Sequence, residues 1–173
     1  EVIPQKYGYF AEETSMVDPQ NATVIAVDVA DEKLLGSLRE NYEGKIDLCI
    51  DHHISNTKYA KNLYLDDTAA ATTQCIYELI VQMKVNINDI TAKALYTGLA
   101  TDTGCFKYAN VTDKTHLIAA ALYEYNINAH EINRLMFDTK SKTGIILDVK
   151  KPETVGADRI ANAFLVFMLI ANK

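Results

Sequence analysis

The amino-acid sequence predicts an α/β fold: a parallel sheet with flanking helices that becomes mostly helical in the C-terminal half. Two short runs, "ATVIAVDVAD" (residues 22–31) and "KIDLCID" (residues 45–51), are rich in β-branched and apolar residues and end in carboxylates. Such runs are typical of strands buried in a parallel sheet. From residue 68 onward, apolar residues recur at helical spacing.

The segment between the two predicted strands is "DEKLLGSLRENYEG", residues 31–44. It predicts an amphipathic helix with Leu34, Leu35 and Leu38 on one side and Gly44 as its stop. A strand, a helix and a strand within about thirty residues form a βαβ unit, whose two strands are parallel.

The remaining pattern predicts helices. In the first of them, apolar residues follow the i, i+3, i+4, i+7 stripe. Asn88 or Asp89 is a candidate N-cap for the second, and the last two are each preceded by a polar cap. The stripe consists of Ile76, Leu79, Ile80 and Met83, and the four predicted helices span residues 68–84, 88–104, 112–126 and 128–138.

Length and charge set broad limits on function. The 173 residues fit one domain with room for an appendage. The net charge of −6 argues against broad electrostatic adhesion to nucleic acid or anionic membrane, although a small metal site that binds phosphate is compatible with it. Residues 1–10 show no secretory signal. The apolar end, residues 160–173, is shorter than a membrane span and predicts a buried helix, so we expect a cytoplasmic protein without membrane partners.

The three cysteines, Cys49, Cys75 and Cys105, have no metal-like spacing. An odd number of cysteines in such a chain is typical of buried, unpaired thiols in a reducing compartment.

Ionisable residues stand at the ends of the predicted elements. Asp28 ends the first strand, Asp51, His52 and His53 end the second, and Asp102 ends a helix. In open parallel sheets, ligands collect at the carboxyl ends of the strands. Carboxylates with one imidazole suit Mn²⁺, Mg²⁺ or Fe²⁺ better than a structural zinc. Two such ions can activate water and clamp both oxygens of a phosphoryl displacement.

Simpler interpretations exist for each residue taken alone. Asp28 would serve as a helix N-cap, either histidine as a hydrogen-bonded loop residue, and Asp102 as a cap. Thr101, Thr103 and Gly104 flank Asp102, and the glycine would let backbone come close to a ligand. The occurrence of three clusters at element ends favours a shared site over these separate interpretations.

Several stretches resemble the DHH phosphoesterase superfamily. "VIAVDVAD", "IDHHISN" and "GLATDTGCFKYAN" occur in the order and approximate spacing of its second, third and fourth motifs. "TAAATTQCIYELI" and "NVTDKTHLIAAALYEYNINAHEINRLMFDTKSK" resemble its bacterial oligoribonuclease and phosphoadenosine-phosphate phosphatase branch. The resemblance covers roughly residues 2–142, and "DHHxSN" with "TDTGxFxY" is highly specific.

The resemblance implies a role for each site residue. Asp28 would bridge two Mn²⁺ ions, His52 and Asp102 would each bind one, and His53 would contact the scissile phosphate as a catalytic residue. Asp51 would orient an imidazole, as carboxylates beside metal-bound histidines do. The implied substrates are short RNA, phosphoadenosine phosphate or cyclic dinucleotides, and a homodimer is a candidate assembly. Thr101, Thr103 and Gly104 are assigned to substrate binding.

The family's first motif, which supplies the other half of the metal shell, and its second domain have no counterpart in this sequence. We therefore expect residues 1–142 to form a partial DHH domain belonging to a larger enzyme. By itself such a part would hold metal weakly. Two interpretations stay open: a metal-dependent phosphoesterase, and a module that binds nucleotides without turnover.

Residues 143–173 are predicted to form a separate strand–helix segment. Within it, "ETVGADRIANA" resembles type III pantothenate kinases, where Asp158 would act on the pantothenate hydroxyl with Arg159 nearby. That family's phosphate-binding motif is not found in the chain, so an exposed ion pair at the start of an apolar helix is the simpler interpretation.

Overall fold

The computed structural model describes residues 22–138, and its sheet is parallel, as predicted. The predictions for residues 143–173, including the apolar terminal helix, lie outside the described residues. Within the described part, no helix is both long and apolar enough to cross a membrane. The three strands lie in the order β1-β2-β3 and span Ile25–Val27 (β1), Leu48–Asp51 (β2) and Asn62–Leu65 (β3).

Strand β3 was missed by the sequence analysis. It pairs with β2 in register Leu48↔Asn62 to Asp51↔Leu65. The connection from β2 to β3, residues 52–61, contains no helix, so the βαβ expectation gave no reason to look for a strand there. Its signal is the same as that of the first two strands: a short apolar run, "NLYL", followed directly by carboxylates.

The continuous helix predicted for residues 31–44 is wrong. The chain forms a 3₁₀ helix over Glu32–Leu38 and a short helix α1 over Arg39–Tyr42, interrupted at Gly36, where φ is 58°. Leu34 and Leu38 are 51% and 48% exposed, so the expected apolar side is not buried against the sheet. A glycine in left-handed geometry ends regular helix because it redirects the backbone. Gly44, with φ of 72°, does end this segment as predicted.

The four helices predicted between residues 68 and 138 are confirmed, each shorter than predicted. Asn88 caps α3 by accepting a hydrogen bond from the Thr91 amide, and Thr112 caps α4 through a reciprocal pair with Thr115. Asn128 caps α5, which passes into a π-helical turn. The helices span Thr72–Gln82 (α2), Asp89–Asp102 (α3), Asp113–Leu122 (α4) and Ala129–Asn133 (α5), and the π-helical turn spans Arg134–Asp138.

The sheet has apolar side chains on both faces, as strands of a parallel sheet do. Ile50 belongs to the large core that α2–α5 build, together with Ile76, Leu95 and Leu99. Cys49, the next residue back along β2, belongs to a smaller cluster on the other face with Ala26 and Ile46. Ile50 therefore faces the helices, and Cys49 faces the other side of the sheet. The Cys75 thiol on α2 lies 3.9 Å from the Asp51 carbonyl, so the carboxyl end of β2 lies beside the first turn of α2.

Helices α2 and α3 pack closely where Gly98 meets Thr73. A β-carbon on Gly98 would collide with Thr73 Cγ2 and would lie 3.1 Å from its Oγ1. We therefore expect Gly98→Ala to lower the free energy of unfolding. Overpacking a core costs about 1–3 kcal/mol, which exceeds the gain of about 1 kcal/mol that alanine brings to a helix. Urea denaturation followed by circular dichroism measures the change.

The matched control removes the clashing methyl group. Gly98→Ala combined with Thr73→Ser is expected to recover most of the lost stability, because serine lacks Cγ2. Equal destabilisation in the single and double variants would contradict close packing as the cause.

The described cysteines are unpaired, as predicted. Cys49 and Cys75 are buried, whereas Cys105 is partly exposed. Burial raises the pKa of the Cys49 thiol, and burial with nearby carboxylates raises that of Cys75 to about 12. Since the thiolate is the reactive form, we expect iodoacetamide at pH 9 to modify Cys105 rapidly and Cys75 hardly at all, as measured by peptide mass spectrometry. Comparable rates at both cysteines in the folded protein would contradict this, and the urea-unfolded chain provides the control.

Candidate metal centre

Asp28 lies directly after β1 and is almost fully buried. Its backbone adopts φ of 61°, and its amide donates to the Ile50 carbonyl on β2. Thr72, the first residue of α2, donates its hydroxyl to Asp28 Oδ1 at 2.7 Å. Asp31, not Asp28, caps the following 3₁₀ helix. The alternative of Asp28 as a helix cap is therefore wrong, and its carboxylate is held inside the cluster of ionisable groups.

His52 is oriented by the segment that precedes α2. Its Nδ1 lies 3.0 Å from the carbonyl oxygen of Ala69. A carbonyl can only accept a hydrogen bond, so Nδ1 carries the proton. The other ring nitrogen, Nε2, lies 3.8 Å from Asp28 Oδ1 and 3.5 Å from Asp102 Oδ2. The tautomer thus directs the lone pair of Nε2 toward two carboxylates, an arrangement that suits a shared cation.

Asp51 ends β2 and is fully buried. Its Oδ1 accepts from the His52 amide at 2.9 Å and from His53 Nδ1 at 2.7 Å, and its Oδ2 accepts from Asn56 at 2.6 Å. Burial raises the pKa of the Asp51 carboxyl, but the hydrogen bonds from His53 and Asn56 outweigh it and leave the pKa below its usual value. Both oxygens are therefore engaged within the protein, which fits an orienting role.

His53 is the more exposed of the two histidines, with 39% of its side chain accessible. Because Nδ1 donates to Asp51, that carboxylate sets the orientation of the ring. His53 Nδ1 also lies 3.8 Å from Asp28 Oδ1. The geometry thus joins Asp51, His53 and Asp28 into one network at the sheet edge.

Asp102 reaches the same place from the helical half of the chain. It is the last residue of α3, and its side chain is 18% exposed. Asn110 donates to the backbone carbonyls of Asp102, at 3.4 Å, and of Ala70, at 2.9 Å. His52 is hydrogen-bonded to the Ala69 carbonyl, next to the Ala70 carbonyl that Asn110 contacts. The short segment before α2 therefore helps to hold both His52 and Asp102 in the cluster.

The donor set fits a divalent cation. One potential ligand atom from each of Asp28, His52 and His53 lies within 4.8 Å of the others, and Asp102 adds a second carboxylate near His52 Nε2. Two carboxylates that approach the same imidazole nitrogen repel one another unless a positive charge is shared between them. Oxygen donors with imidazole match the preferences of hard or borderline divalent ions.

The residues around Asp102 have structural partners in the described chain. The Thr101 hydroxyl donates to the Thr97 carbonyl, and that of Thr103, which is fully buried, donates to the Leu99 carbonyl. Gly104 has φ of 55°, and its bare α-carbon lies against the ring of Tyr108. Substrate binding by Thr101, Thr103 and Gly104 remains a prediction.

Sequence reasoning did not single out three residues that hold this site: Thr72, Asn56 and Asn110. All three stand inside quoted motif stretches, but no contact was assigned to them. Asn56 lies only five residues from its partner Asp51, but Asn110 and Ala70 are 40 residues apart, and Thr72 and Asp28 are 44 residues apart. A spacing argument does not reveal such pairs.

Several named proteins are similar in sequence to this chain. Over 135 residues the chain is 30% identical to the bifunctional oligoribonuclease and PAP phosphatase NrnA of Bacillus subtilis, covering 76% of this chain and 43% of that protein. It is 29% identical over 164 residues to the NrnA of Thermus thermophilus, covering 85% of this chain and 49% of that protein. The chain thus spans less than half the length of these relatives.

Among solved structures, an exopolyphosphatase-related protein from Bacteroides fragilis superposes with a TM-score of 0.66. The match covers 72% of this chain and 38% of that one at 23% sequence identity, and it shows a shared fold. No family model matches the chain.

Proposed function

We propose, on the premise that this chain belongs to the DHH family of phosphoesterases, that it carries a metal-dependent site hydrolysing short oligoribonucleotides or phosphoadenosine phosphate. The observation that carries the proposal is the approach of Asp28 and Asp102, 74 residues apart in the printed sequence, to the same nitrogen of His52. An imidazole between two carboxylates at the carboxyl end of a parallel sheet is the expected place for a catalytic ion.

Asp28, His52 and Asp102 are the residues that would hold metal, with Mn²⁺ the proposed ion and Mg²⁺ or Fe²⁺ as substitutes. Bound divalent ions would lower the pKa of a water molecule and neutralise charge on the reacting phosphate. The protein contributes orientation: the Ala69 carbonyl holds the His52 tautomer, and Thr72 holds the Asp28 carboxylate. Such partners raise metal affinity because the ligands need not reorganise on binding.

His53 is proposed to contact the scissile phosphate. The Asp51 carboxylate accepts its Nδ1 proton at 2.7 Å, which stabilises the positively charged imidazole. In the doubly protonated ring, the Nε2–H group would donate to a phosphate oxygen. A donor held in place before the reaction stabilises negative charge that develops in the transition state without having to reorient.

The proposal is tested by incubating the 173-residue chain with a labelled short oligoribonucleotide, or with phosphoadenosine phosphate, in Mn²⁺, in Mg²⁺ and in EDTA. We expect release of mononucleotide or inorganic phosphate only with the metals. Hydrolysis that EDTA leaves unchanged, or failure of the chain to bind Mn²⁺ in calorimetry, would contradict a metal-dependent site.

A nucleotide-binding module without turnover is the second candidate. The observation that favours it is that the chain spans less than half of its curated relatives, so groups needed for turnover can lie in the remainder. Metal-dependent nucleotide binding without product formation would support this candidate over the hydrolase.

A further inference from the structure

The loop after Asp102 follows an unusual backbone path. Gly104, Cys105 and Phe106 have φ angles of 55°, 58° and 64°, three consecutive residues in the left-handed region. Residues other than glycine seldom adopt this conformation, and consecutive ones are rarer still. Backbone of this kind persists where surrounding structure holds it, and it concentrates at ligand sites.

The left-handed turn brings the ring of Tyr108 onto Gly104. A β-carbon on Gly104 would lie 2.5 Å from Cε1 and 2.7 Å from Cε2 of this ring, so the close approach requires glycine. Tyr108 is nevertheless 61% exposed. The ring is therefore supported by backbone on one side and accessible on the other.

The backbone that carries Tyr108 is also tied to the segments that form the metal centre. The Tyr108 amide donates to the Thr103 carbonyl at 3.1 Å. Two residues further along, Asn110 donates to the carbonyls of Asp102 and Ala70. The loop is thus tied to the segments that position Asp102 and His52. The Tyr108 ring lies against Gly104, which follows Asp102 by two residues along the chain.

We propose that the exposed face of Tyr108 is a stacking platform for the nucleobase of a nucleotide whose phosphate lies at Asp28, His52 and Asp102. The inference rests on the proposed phosphoesterase function and assigns the part of the site that recognises nucleotides. Stacking on an aromatic ring tolerates any sequence because every base has a π-face. In this arrangement Gly104 leaves room for the Tyr108 ring to pack against the backbone and does not itself contact the substrate.

The test compares adenosine 5′-monophosphate with ribose 5-phosphate, which has the same phosphate and sugar but no base. Calorimetric titrations of the full chain in Mn²⁺ are expected to show tighter binding of the nucleotide. Tyr108→Leu should weaken nucleotide binding about 5- to 150-fold, the usual range for loss of one stacked base. Tyr108→Leu should leave the affinity for ribose 5-phosphate unchanged. Tyr108→Phe should retain nucleotide binding because stacking does not need the hydroxyl.

Tyr123→Leu is the matched control. Tyr123 is similarly exposed, at 58%, but packs against Tyr96 instead of the loop after Asp102, so its loss should leave both ligands unaffected. The chain contains no tryptophan. Tyr108→Trp therefore introduces a single tryptophan, whose emission should change on addition of the nucleotide and not of ribose 5-phosphate.

The possible results separate the two proposals. If both ligands bind but Tyr108→Leu does not reduce their difference in affinity, the stacking inference is wrong and the phosphoesterase proposal stands. If neither ligand binds in the presence of Mn²⁺, both proposals are overturned. An unchanged Tyr108→Trp emission under saturating nucleotide also overturns the stacking inference.

Discussion

Asp28→Asn is expected to abolish divalent-metal binding by this chain while leaving its fold intact. The carboxylate is buried and lies 3.8 Å from His52 Nε2, so its loss removes a negative charge that would compensate a cation at that position. Asparagine suits the test because it tolerates the left-handed backbone of residue 28 and keeps an oxygen that accepts from Thr72. Mn²⁺ titration by electron paramagnetic resonance measures the affinity, and circular dichroism checks the fold.

Two further variants test whether the loss of Mn²⁺ binding comes from the Asp28 carboxylate. Thr72→Val removes the hydrogen bond to Asp28 and should weaken Mn²⁺ binding roughly 10–100-fold, as loss of a ligand's partner does. Asp31→Asn alters a carboxylate three residues away that caps the 3₁₀ helix, and it should leave affinity unchanged because asparagine is also a good cap. Undiminished Mn²⁺ binding in Asp28→Asn would remove Asp28 from the ligand set.

His53→Ala is expected to keep the metal but to lower the rate of hydrolysis about 10²–10³-fold, the usual cost of losing one donor to the transition state. The reason is the proposed role: Asp51 holds the imidazole through Nδ1, and the ring would donate to the phosphate through Nε2. Metal content by elemental analysis, measured beside turnover of a short oligoribonucleotide, separates the two effects.

This variant also distinguishes two roles for His53, since its ligand atom lies within 4.8 Å of those of Asp28 and His52. Loss of metal in His53→Ala would make it a ligand instead of a phosphate contact. His130→Ala changes an exposed histidine on α5 and should affect neither measurement.

Local pattern was sufficient for much of the fold. The apolar runs ending at Asp28 and Asp51 marked two parallel strands, and helical spacing with polar caps marked α2–α5. These signals succeed because the burial of a strand or helix face and the capping of its ends depend on residues close in sequence. The same reasoning failed at Gly36, where leucines at helical spacing suggested a continuous helix but one glycine in left-handed geometry divided it.

For the site, the sequence by itself determined which residues are the candidates: Asp28 and the Asp51–His52–His53 triplet at strand ends, with Asp102 at a helix end. Only the tertiary structure decided how each is held. The His52 tautomer depends on a carbonyl 17 residues away, and the Asp28 carboxylate depends on a hydroxyl 44 residues away. Periodicity and motif spacing report on burial and local backbone, whereas hydrogen-bond partners between distant segments are set by the path of the whole chain. The addition of β3 to the sheet and the seating of Tyr108 on Gly104 were decided in the same way.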